Sequence, residues 1–503
     1  MKHLQNFSLK KRALLFLALF ASIAINAQSW NQIGSKIEGD HQADQMGFYV
    51  SSNASGTIFA SSSTGNDANA NNSGQVRVYE YQSGDWLQKG QDILGDQAED
   101  LFGFSLDLND DGTILAIGAP SNSDGHGYVR VFEYQGGNWT QIGATISGEN
   151  LGDQMGYSVS LNGDGTILAV GANQHNNGTE RVGQVKVFQF QSSVWNSLGN
   201  TVFGENAGDI LGTSLSLNKS GNRFVSGGTS SNTSFSNAGH VKVFELVGAT
   251  WELVGSPFYG QSSAEGLGYS VSFNDAGTIV AMSALGNDDV FDFAGRVSIY
   301  EFDGLDWVQI GSTIYGTHAL EFTGDSISLN HDGNIIAIGG SSNSIVGPFA
   351  GFTRVFQNQS GTWVQIGGSI LAESFGDACG SSVSFNAVGD QVVIGSASGY
   401  NSGDESGHTR VFEIDLSSLS VPDENITAQS VSLFPNPSAD VILIDSSMDI
   451  ESVKIYDISG RLFLKQQLDE NMHIRISELP RGVYFVQLTT KSKSVVTKKL
   501  LKR

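Results

Sequence analysis

Between residues 30 and 414 the chain repeats one pattern of apolar and polar positions. Residues 155–172 (MGYSVSLNGDGTILAVGA) hold an alternating segment, a polar turn and a continuously apolar segment. A second alternating segment, GQVKVFQF at residues 183–190, precedes Trp195. Alternation predicts a strand with one buried face, whereas a continuous apolar run predicts a strand buried on both faces. Each unit therefore predicts four β-strands, the fourth of which begins at the tryptophan.

The tryptophans set the period of this pattern. They stand at Trp30, Trp86, Trp139, Trp195, Trp251, Trp307 and Trp363. Their spacings are 56, 53, 56, 56, 56 and 56 residues, which indicates an internal repeat. Sheets with one bulky face and one small face stack side by side around an axis, so the seven units predict a seven-bladed β-propeller.

The phase of the repeat predicts how the propeller closes. Residues 30–37 begin at a tryptophan and are of the fourth-strand type, whereas residues 408–414 are of the third-strand type. The seventh unit therefore lacks a fourth strand of its own. We expect the N-terminal strand to supply it, which would cover two sheet edges. The predicted fold class is all-β, with a propeller over residues 28–414.

The N-terminal end differs from the repeat. Lys2, Lys10, Lys11 and Arg12 precede an apolar run at residues 13–25. This order predicts a secretory signal peptide over residues 1–27, cleaved between Ala27 and Gln28. A retained membrane anchor is the alternative, but the run is short for a bilayer. No other segment is as apolar, so we expect no transmembrane segment in the mature chain.

The C-terminal end has its own pattern. Residues 415–430 are polar and predict a linker, and residues 431–503 show six short strand patterns and a basic end. Four blocks resemble the C-terminal sorting domain of the type IX secretion system: LFPNP (433–437), VKIYDISGRLF (453–463), LPRGVYFVQL (479–488) and VVTKKLLKR (495–503).

That resemblance implies a small C-terminal β-sandwich at residues 431–503, which directs export across the outer membrane. It implies the outer-membrane type IX secretion machinery as a partner, and a secreted or cell-surface location reached through the periplasm. The motif residues that it implies are Pro435, Asn436, Pro437, Gly460 and Gly482.

Composition and charge limit the ligands. The chain has 51 Asp and Glu against 27 Lys and Arg, a net charge of -24, 62 Gly and one Cys. Residues 1–27 carry +4 and residues 428–503 carry +3, so residues 28–427 carry -31. So much negative charge opposes binding to a nucleic acid backbone, and we predict no nucleic acid partner. A single cysteine cannot form an internal disulfide.

Residues 102–120 (FGFSLDLNDDGTILAIGAP) and 155–172 resemble the FG-GAP repeats of integrin alpha chain propellers, a similarity that extends over residues 30–414. Integrin-type calcium loops resemble D-x-D-x-D-G. Here the turn between the first two strands offers at most Asp110 and Asp111, or Asp164, and calcium requires six to eight oxygens. We therefore predict neither a metal site nor a cofactor.

Candidate binding residues lie on the rim that carries long, copy-specific loops, where binding residues usually reside. An acid stands three residues before the first-strand glycine of every copy: Asp44, Asp100, Asp153, Asp209, Glu265, Glu321 and Asp377. These carboxylates either accept backbone amides of their own turns or surround the axial opening and hold a cation or basic ligand. Asp288, Asp289 and Asp292 form a local cluster in one loop, which is either solvated or a ligand contact.

For the other conspicuous residues, a role in packing is the favoured interpretation. The tryptophans predict contacts between blades, with carbohydrate stacking as the alternative. Cys379 occupies a position that is apolar in other copies, and the nine histidines show no catalytic spacing. The sequence thus predicts an exported, non-catalytic binding or adhesion module for an extracellular protein or glycan. The alternative is a polysaccharide-active enzyme with acids at the axial mouth.

Overall fold

The computed structural model describes residues 29–397 apart from 122–124, 179, 232, 234, 343 and 345, then 406–416, and finally 431–502 apart from 435–437, 439, 447–449, 458–461, 468–471 and 491–494. The chain divides into two compact units, Met1–Leu416 and Ser417–Arg503. All strands and no α-helix are found in these described ranges, so the all-β prediction is confirmed.

The first half of the first unit contains seventeen strands. They are β1 (Asn31–Gln32), β2 (Ile37–Glu38), β3 (Met46–Ser52), β4 (Ile58–Ser63), β5 (Gln75–Gln82), β6 (Asp85–Gln88), β7 (Ile93–Leu94), β8 (Ser105–Leu108), β9 (Ile114–Ala119), β10 (Tyr128–Gln135), β11 (Asn138–Gln141), β12 (Ile146–Ser147), β13 (Ser158–Leu161), β14 (Ile167–Ala172), β15 (Gln184–Gln191), β16 (Val194–Ser197) and β17 (Val202–Phe203).

The remainder of this unit continues the same order. Its strands are β18 (Ser214–Leu217), β19 (Arg223–Gly228), β20 (His240–Val247), β21 (Thr250–Leu253), β22 (Phe258–Tyr259), β23 (Leu267–Phe273), β24 (Ile279–Ala284), β25 (Arg296–Phe302), β26 (Trp307–Gln309), β27 (Ile314–Tyr315), β28 (Ile327–Leu329), β29 (Ile335–Gly340), β30 (Phe352–Asn358), β31 (Trp363–Gln365), β32 (Ile370–Leu371), β33 (Cys379–Phe385), β34 (Gln391–Ser396) and β35 (His408–Glu413).

These strands form seven antiparallel five-stranded sheets, numbered 1 to 7 from β3, β8, β13, β18, β23, β28 and β33. In each sheet the first four strands pair in sequence, and a short fifth strand pairs with the third. The sequence predicted one fourth strand where the structure has two. A glycine separates the two pieces: at Gly90, with φ +84°, a Cβ would lie 2.8 Å from Cδ1 of Trp139.

Sheet 7 takes two of its strands from the N-terminal end of the chain. β1 pairs with β35, with Asn31 opposite Glu413, and β2 pairs with the other end of β35, with Ile37 opposite Thr409. The third strand of sheet 7 is thereby paired on both sides, as the third strands of the other sheets are.

The first strands of consecutive sheets contact one another, and β33 of sheet 7 contacts β3 of sheet 1. Neighbouring sheets thus pack side by side through their first strands, which is the arrangement of a β-propeller. Apolar residues fill each seam: Ile58 and Val76 of sheet 1 pack with Leu106 and Ile117 of sheet 2. Sheets 7 and 1 share a core of the same kind.

A series of backbone hydrogen bonds joins the turns between first and second strands. In each turn the residue after the asparagine donates its N–H to the C=O of its equivalent in the next sheet, at 2.9 to 3.1 Å. The series runs through Ala54, Asp110, Gly163, Lys219, Asp275, His331 and Ala387, and Ala387 donates to Ala54. The seven bonds therefore end at the residue from which they start.

A second series of hydrogen bonds crosses the same seams, from side chains that stand two residues before each turn asparagine. A first-strand side chain accepts the N–H of a residue in the next sheet at 2.8 to 3.1 Å. The acceptors are Ser51, Asp107, Ser160, Ser216, Ser272, Ser328 and Ser384. Asp107 is the departure from serine, and this carboxylate still accepts the N–H of Leu161.

The tryptophans form a third series at the outer part of the seams. All seven are at most 9% exposed, and each indole Nε1 donates to a carbonyl of the preceding sheet at 2.8 to 3.2 Å. Trp30 donates to the carbonyl of Ile366, which links the N-terminal segment to sheet 6. The seven indoles therefore pack between sheets, and Cys379 is likewise fully buried.

The second unit contains seven strands: β36 (Val431–Phe434), β37 (Val441–Ser446), β38 (Ile450–Asp457), β39 (Leu462–Gln467), β40 (His473–Arg475), β41 (Gly482–Thr490) and β42 (Val495–Lys502). They form two antiparallel sheets, ordered β36-β37-β40 and β39-β38-β41-β42. Ile442, Ile455, Ile474 and Val486 are fully buried in a shared core. The basic end forms β42, a strand that the sequence pattern did not predict.

Several predicted features lie outside the described residues. These are the signal peptide with Ala27 and Gln28, the linker residues 417–430, and Pro435, Asn436, Pro437 and Gly460 of the sorting motif. Gly482 is described and begins β41. Within the described ranges, no helix has the length and apolar character needed to cross a membrane.

Removal of residues 28–38 should destabilise the first unit. The deletion leaves one edge of β35 without partners, while the other edge stays paired with β34, and it removes the Trp30 hydrogen bond to Ile366. We therefore expect a sharply lower melting temperature or aggregation. Differential scanning calorimetry measures this, with an equally long deletion at residues 417–427 as control. Equal melting of the two deletions would show that the N-terminal strands do not hold the sheets together.

Candidate binding surface

The seven predicted carboxylates are buried beneath the loop rim, which is the rim carrying the connections between second and third strands. All are at most 6% exposed. Each accepts at least one backbone N–H from the turn that precedes it; Asp153, for example, accepts from Glu149 at 3.1 Å and from Asn150 at 2.8 Å. These bonds are the ones expected if each carboxylate accepts the backbone amides of its own turn.

The partners of the second carboxylate oxygen differ from copy to copy. Arg296 pairs with the second oxygen of Glu265 at 2.5 Å. Tyr128 instead donates at 2.8 Å to the Oδ2 of Asp100, which already accepts the turn amides, and the Oδ1 of Asp100 has no partner among the described residues. The Oδ1 atom of Asp209 has no hydrogen-bond partner among the described residues. These side chains use their oxygens mostly within the fold, and a direct ligand contact by them remains a prediction.

Glu321 shows how strongly such a carboxylate can be held. Burial opposes its ionisation, but Arg354 at 2.9 Å, the N–H of Thr317 at 2.6 Å and His318 at 3.1 Å together outweigh burial. They lower the pKa of Glu321 to about 2. The charged form of this side chain therefore stabilises its loop over most of the pH range.

Exposed apolar side chains collect on the loop rim of sheets 5 to 7. We name them the rim patch: Val290, Phe291, Phe293, Leu320, Phe349 and Phe375, which are 41% to 53% exposed. The segments that carry them touch in two pairs. Leu320 donates its N–H to Asp292, and Ala378, beyond Phe375, donates its N–H to Phe349.

Three rim-patch residues occupy strained backbone positions: Leu320, with φ of +60°, and two phenylalanines. Phe293 and Phe349 have φ of +51° and +54°, whereas the equivalent residues of sheets 1 and 4 are Asn72 and Asn237, with φ of +49° and +52°. Asparagine tolerates this left-handed conformation, but a bulky side chain adopts it rarely and at a cost of about 1 kcal/mol. The sequence thus places exposed aromatic side chains where they strain the backbone.

The acid cluster borders the rim patch. Asp288, Asp289 and Asp292 are exposed. The Nδ2 of Asn287 donates to Asp289 at 3.1 Å, while the carbonyl of Asp292 accepts from Leu320. Three carboxylates therefore flank Val290 and Phe291 on the same loop.

The opposite rim, which we call the turn rim, carries short turns, and several of its charged side chains pair with one another. Lys219 bonds to Asp110 at 2.7 Å and to Asp275 at 3.2 Å, and His331 also pairs with Asp275. The Lys219 side chain passes over Gly163, where a Cβ would lie 2.7 Å from its Cγ. Asp164 accepts from the backbone and the hydroxyl of Thr166. Among the described residues, no three His, Cys, Asp or Glu side chains are grouped to hold a metal ion.

Sequence reasoning missed a third set of residues, the axial mouth. Each copy places one side chain there, directly after the first-strand glycine: Phe48, Phe104, Tyr157, Thr213, Tyr269, Asp325 and Ser381. These side chains are half-buried or exposed. The signal is a position that varies within an otherwise regular repeat, and it becomes visible when the copies are aligned one under another.

Contacts between copies show that these side chains share one space. The rings of Phe48 and Phe104 are 5.3 Å apart, and those of Phe104 and Tyr157 are 4.9 Å apart. The negative charge of Asp325 is the main cause that raises the pKa of Tyr269. Burial and Tyr157 act in the same direction. Tyr157 and Tyr269 belong to sheets 3 and 5, so their interaction crosses the space at the axis.

The C-terminal unit was compared with known protein families. Residues 432–503 match the secretion system C-terminal sorting domain. This match confirms the resemblance seen in the sequence. The protein is exported through the type IX secretion system and is secreted or reaches the cell surface.

Other comparisons are less specific. An endo-acting ulvan lyase of Formosa agariphila is 35% identical over 91 residues, which are 18% of this chain and 18% of that protein. A putative 6-phosphogluconolactonase of Bacteroides uniformis is 13% identical, with a TM-score of 0.45 over 66% of this chain and 90% of its own. Sqt1 of Chaetomium thermophilum is 14% identical, with a TM-score of 0.45 over 82% and 97%. The Dos1 propeller is 13% identical, with a TM-score of 0.41 over 77% and 95%.

Substitution of Glu321 by Gln should destabilise the first unit in a pH-dependent manner. A carboxylate with a lowered pKa stabilises fully above its unfolded value of about 4.5 and loses this effect as the pH falls towards 2. We expect Glu321→Gln to cost roughly 3 kcal/mol at pH 7 and almost nothing near pH 2. Thermal unfolding across this range measures the difference, with the exposed Glu252→Gln as control. A loss of stability that does not change with pH would contradict the ion-pair explanation.

Proposed function

We propose that the mature chain is a seven-bladed propeller closed by its N-terminal strand, and that it acts as an exported, non-catalytic binding or adhesion module. Three series of hydrogen bonds support closure, because each includes a bond that links the last sheets to the first residues. Pairing of β1 and β2 with β35 supports the role of the N-terminal strand.

The observation that carries the binding function is the rim patch. Exposed aromatic residues lower solubility, and Phe293 and Phe349 add backbone strain where other copies have asparagine. Strain and exposure together have no benefit for an isolated propeller, whereas both are common at functional surfaces. At the turn rim, charged side chains such as Lys219, Asp275 and His331 pair with one another.

The chemistry of the rim patch favours a protein surface over a sugar. Val290, Leu320 and the phenylalanines present apolar area with few hydrogen-bonding groups, whereas sugars require many polar contacts. Asp288, Asp289 and Asp292 would meet basic groups at the border of the partner. In this proposal the seven buried carboxylates act by holding the loops in place.

The ends of the chain complete the proposal. A signal peptide at residues 1–27 would be cleaved between Ala27 and Gln28 after entry into the periplasm. Residues 415–430 would form the linker, and residues 431–503 would be handled by the outer-membrane machinery, with Gly460 and Gly482 among the motif residues.

The rim patch can be tested with substitutions that the repeat itself supplies. The double variant Phe293→Asn and Phe349→Asn gives both positions the residue found in sheets 1 and 4, so we expect an unchanged or higher melting temperature. Capture of a protein from cell-surface extracts should fall at least tenfold, as measured by quantitative mass spectrometry. The triple variant Asp288→Ala, Asp289→Ala and Asp292→Ala should also weaken capture.

The matched control lies on the turn rim. Asp111→Asn and Asp164→Asn change two exposed acids there and should leave capture intact. Chelator-sensitive capture that is lost in this control would place a metal-dependent site on the turn rim. Depolymerisation of a polysaccharide by the purified protein would favour the enzymatic alternative over the binding module.

Export depends on the second unit. A chain that ends at residue 430 keeps the signal peptide and the propeller but lacks β36 to β42, so we expect a folded propeller trapped in the periplasm. Fractionation of intact cells followed by immunoblotting measures its location, with the full chain as control. Appearance of the truncated chain in the medium of intact cells would contradict a sorting role for residues 431–503.

A further inference from the structure

At the axial mouth, aromatic rings from different sheets surround one central space. Successive rings lie 4.9 to 5.3 Å apart in adjacent sheets, and seven positions with this spacing fall on a circle of about 6 Å radius. A cation on the axis would therefore lie about 6 Å from each ring centroid, which is within cation–π range. Four of the seven positions carry such rings: Phe48, Phe104, Tyr157 and Tyr269.

Two carboxyl groups on first strands have no cationic partner among the described residues: Asp325 at the mouth, and Asp107 between sheet 2 and its two neighbours. Asp325 accepts hydrogen bonds from the hydroxyls of Ser341 and Tyr269. Asp107 accepts from the N–H of Leu161 in sheet 3 at 2.8 Å and from the hydroxyl of Ser51 in sheet 1 at 3.0 Å. Burial raises the pKa of Asp325, and it raises that of Asp107 to about 6 in spite of these hydrogen bonds.

A polar atom at the mouth also lacks a partner. Asn173 is 3% exposed and hydrogen-bonds Tyr157, and its Oδ1 makes no hydrogen bond within the described part of the chain. At the turn rim the ion pairs of Lys219 with Asp110 and Asp275 span three sheets near the axis. A ligand therefore has its entry at the loop rim.

We infer that the axial mouth binds an organic cation, an alkylammonium group held between the aromatic rings and Asp325. This site lies on the axis, apart from the rim patch; it rests on the proposed propeller closure and not on the proposed binding at the rim patch. The net charge of -31 on residues 28–427 attracts cations to the mouth.

The groups at the mouth distinguish this cation from other ligands. A guanidinium binds best to a carboxylate with two free oxygens, but Asp325 already accepts from two hydroxyls. A sugar requires polar partners around its ring, and Phe48 and Phe104 offer none. An alkylammonium group requires one nearby negative charge, and its methyl groups pack against aromatic rings.

Calorimetric titration of the full chain can test the charge requirement. Choline and its uncharged isostere 3,3-dimethylbutan-1-ol have the same shape, so we expect choline to bind at least tenfold more tightly. Equal affinity of the two probes, or no binding of choline at millimolar concentration, would overturn the proposal. Comparison of choline with a peptide bearing trimethyllysine distinguishes a free small molecule from a protein side chain as the source of the cation.

The pH dependence follows from the two carboxyl groups. Asp325 faces Tyr269 and Ser341, and Tyr269 in turn interacts with Tyr157. Asp107 faces Tyr49, Ser51, Ser160 and the amides of Leu108 and Leu161. Protonation removes the charge that attracts the ligand. Choline affinity should therefore be higher at pH 8 than at pH 5, and a pH-independent affinity would contradict the role of these carboxyls.

The repeat supplies variants for this site as well. Asp325→Ser and Phe104→Thr introduce the residues found at the equivalent positions of sheets 7 and 4, Ser381 and Thr213, so the fold should be retained. Each should weaken choline binding at least fivefold. Asp107→Ser restores the residue of the six other copies and should reduce the pH dependence. Asp111→Asn on the turn rim is the control, and unchanged binding by Asp325→Ser would refute the site.

The Phe293→Asn and Phe349→Asn variant separates the two proposals. It removes the aromatic part of the rim patch and leaves the axial mouth intact, so it should bind choline as the parent chain does. Loss of choline binding in this variant would place the cation at the rim patch and overturn the axial site.

Discussion

The hydrogen bond that passes from each turn to the next sheet is the constraint on which the first unit depends. The N–H and C=O groups of residues such as Ala54 and Asp110 point out of their own sheets, and a buried backbone group without a partner costs more than a hydrogen bond gains. The seven bonds have nearly equal lengths, so every seam has the same geometry. Variation in loop length is thereby confined to the opposite rim.

The second series shows what a seam tolerates. Six copies place a serine hydroxyl against the N–H of the next sheet, and the copy with Asp107 places a carboxylate there. The seam keeps its bond because both groups are acceptors. The difference appears in the electrostatics, since burial raises the pKa of Asp107 to about 6 and gives the seam a titratable group. A side chain of different charge can therefore replace the usual residue of the repeat wherever it still provides the required hydrogen-bond acceptor.

The sequence predicted the features that repeat, because period and alternation follow directly from strand geometry. It missed the fifth strands, which have only two residues each, and it missed β42, whose lysines hide its alternation. It left two alternatives for the acids such as Asp153, since burial and bonding to the turn are properties of the folded chain. The axial mouth escaped notice because Phe48 and Phe104 match the bulky face expected of any first strand.

Repetition and function occupy different positions in the same sheets. At the left-handed position before the third strand, Asn72 and Asn237 accept the backbone conformation with little strain, whereas Phe293 and Phe349 do not. Stability can bear this cost because the seams, with their three series of hydrogen bonds and buried tryptophans, do not involve these side chains. A regular frame thus allows unfavourable residues at single rim positions, and it is at such departures from the repeat that binding chemistry should be sought.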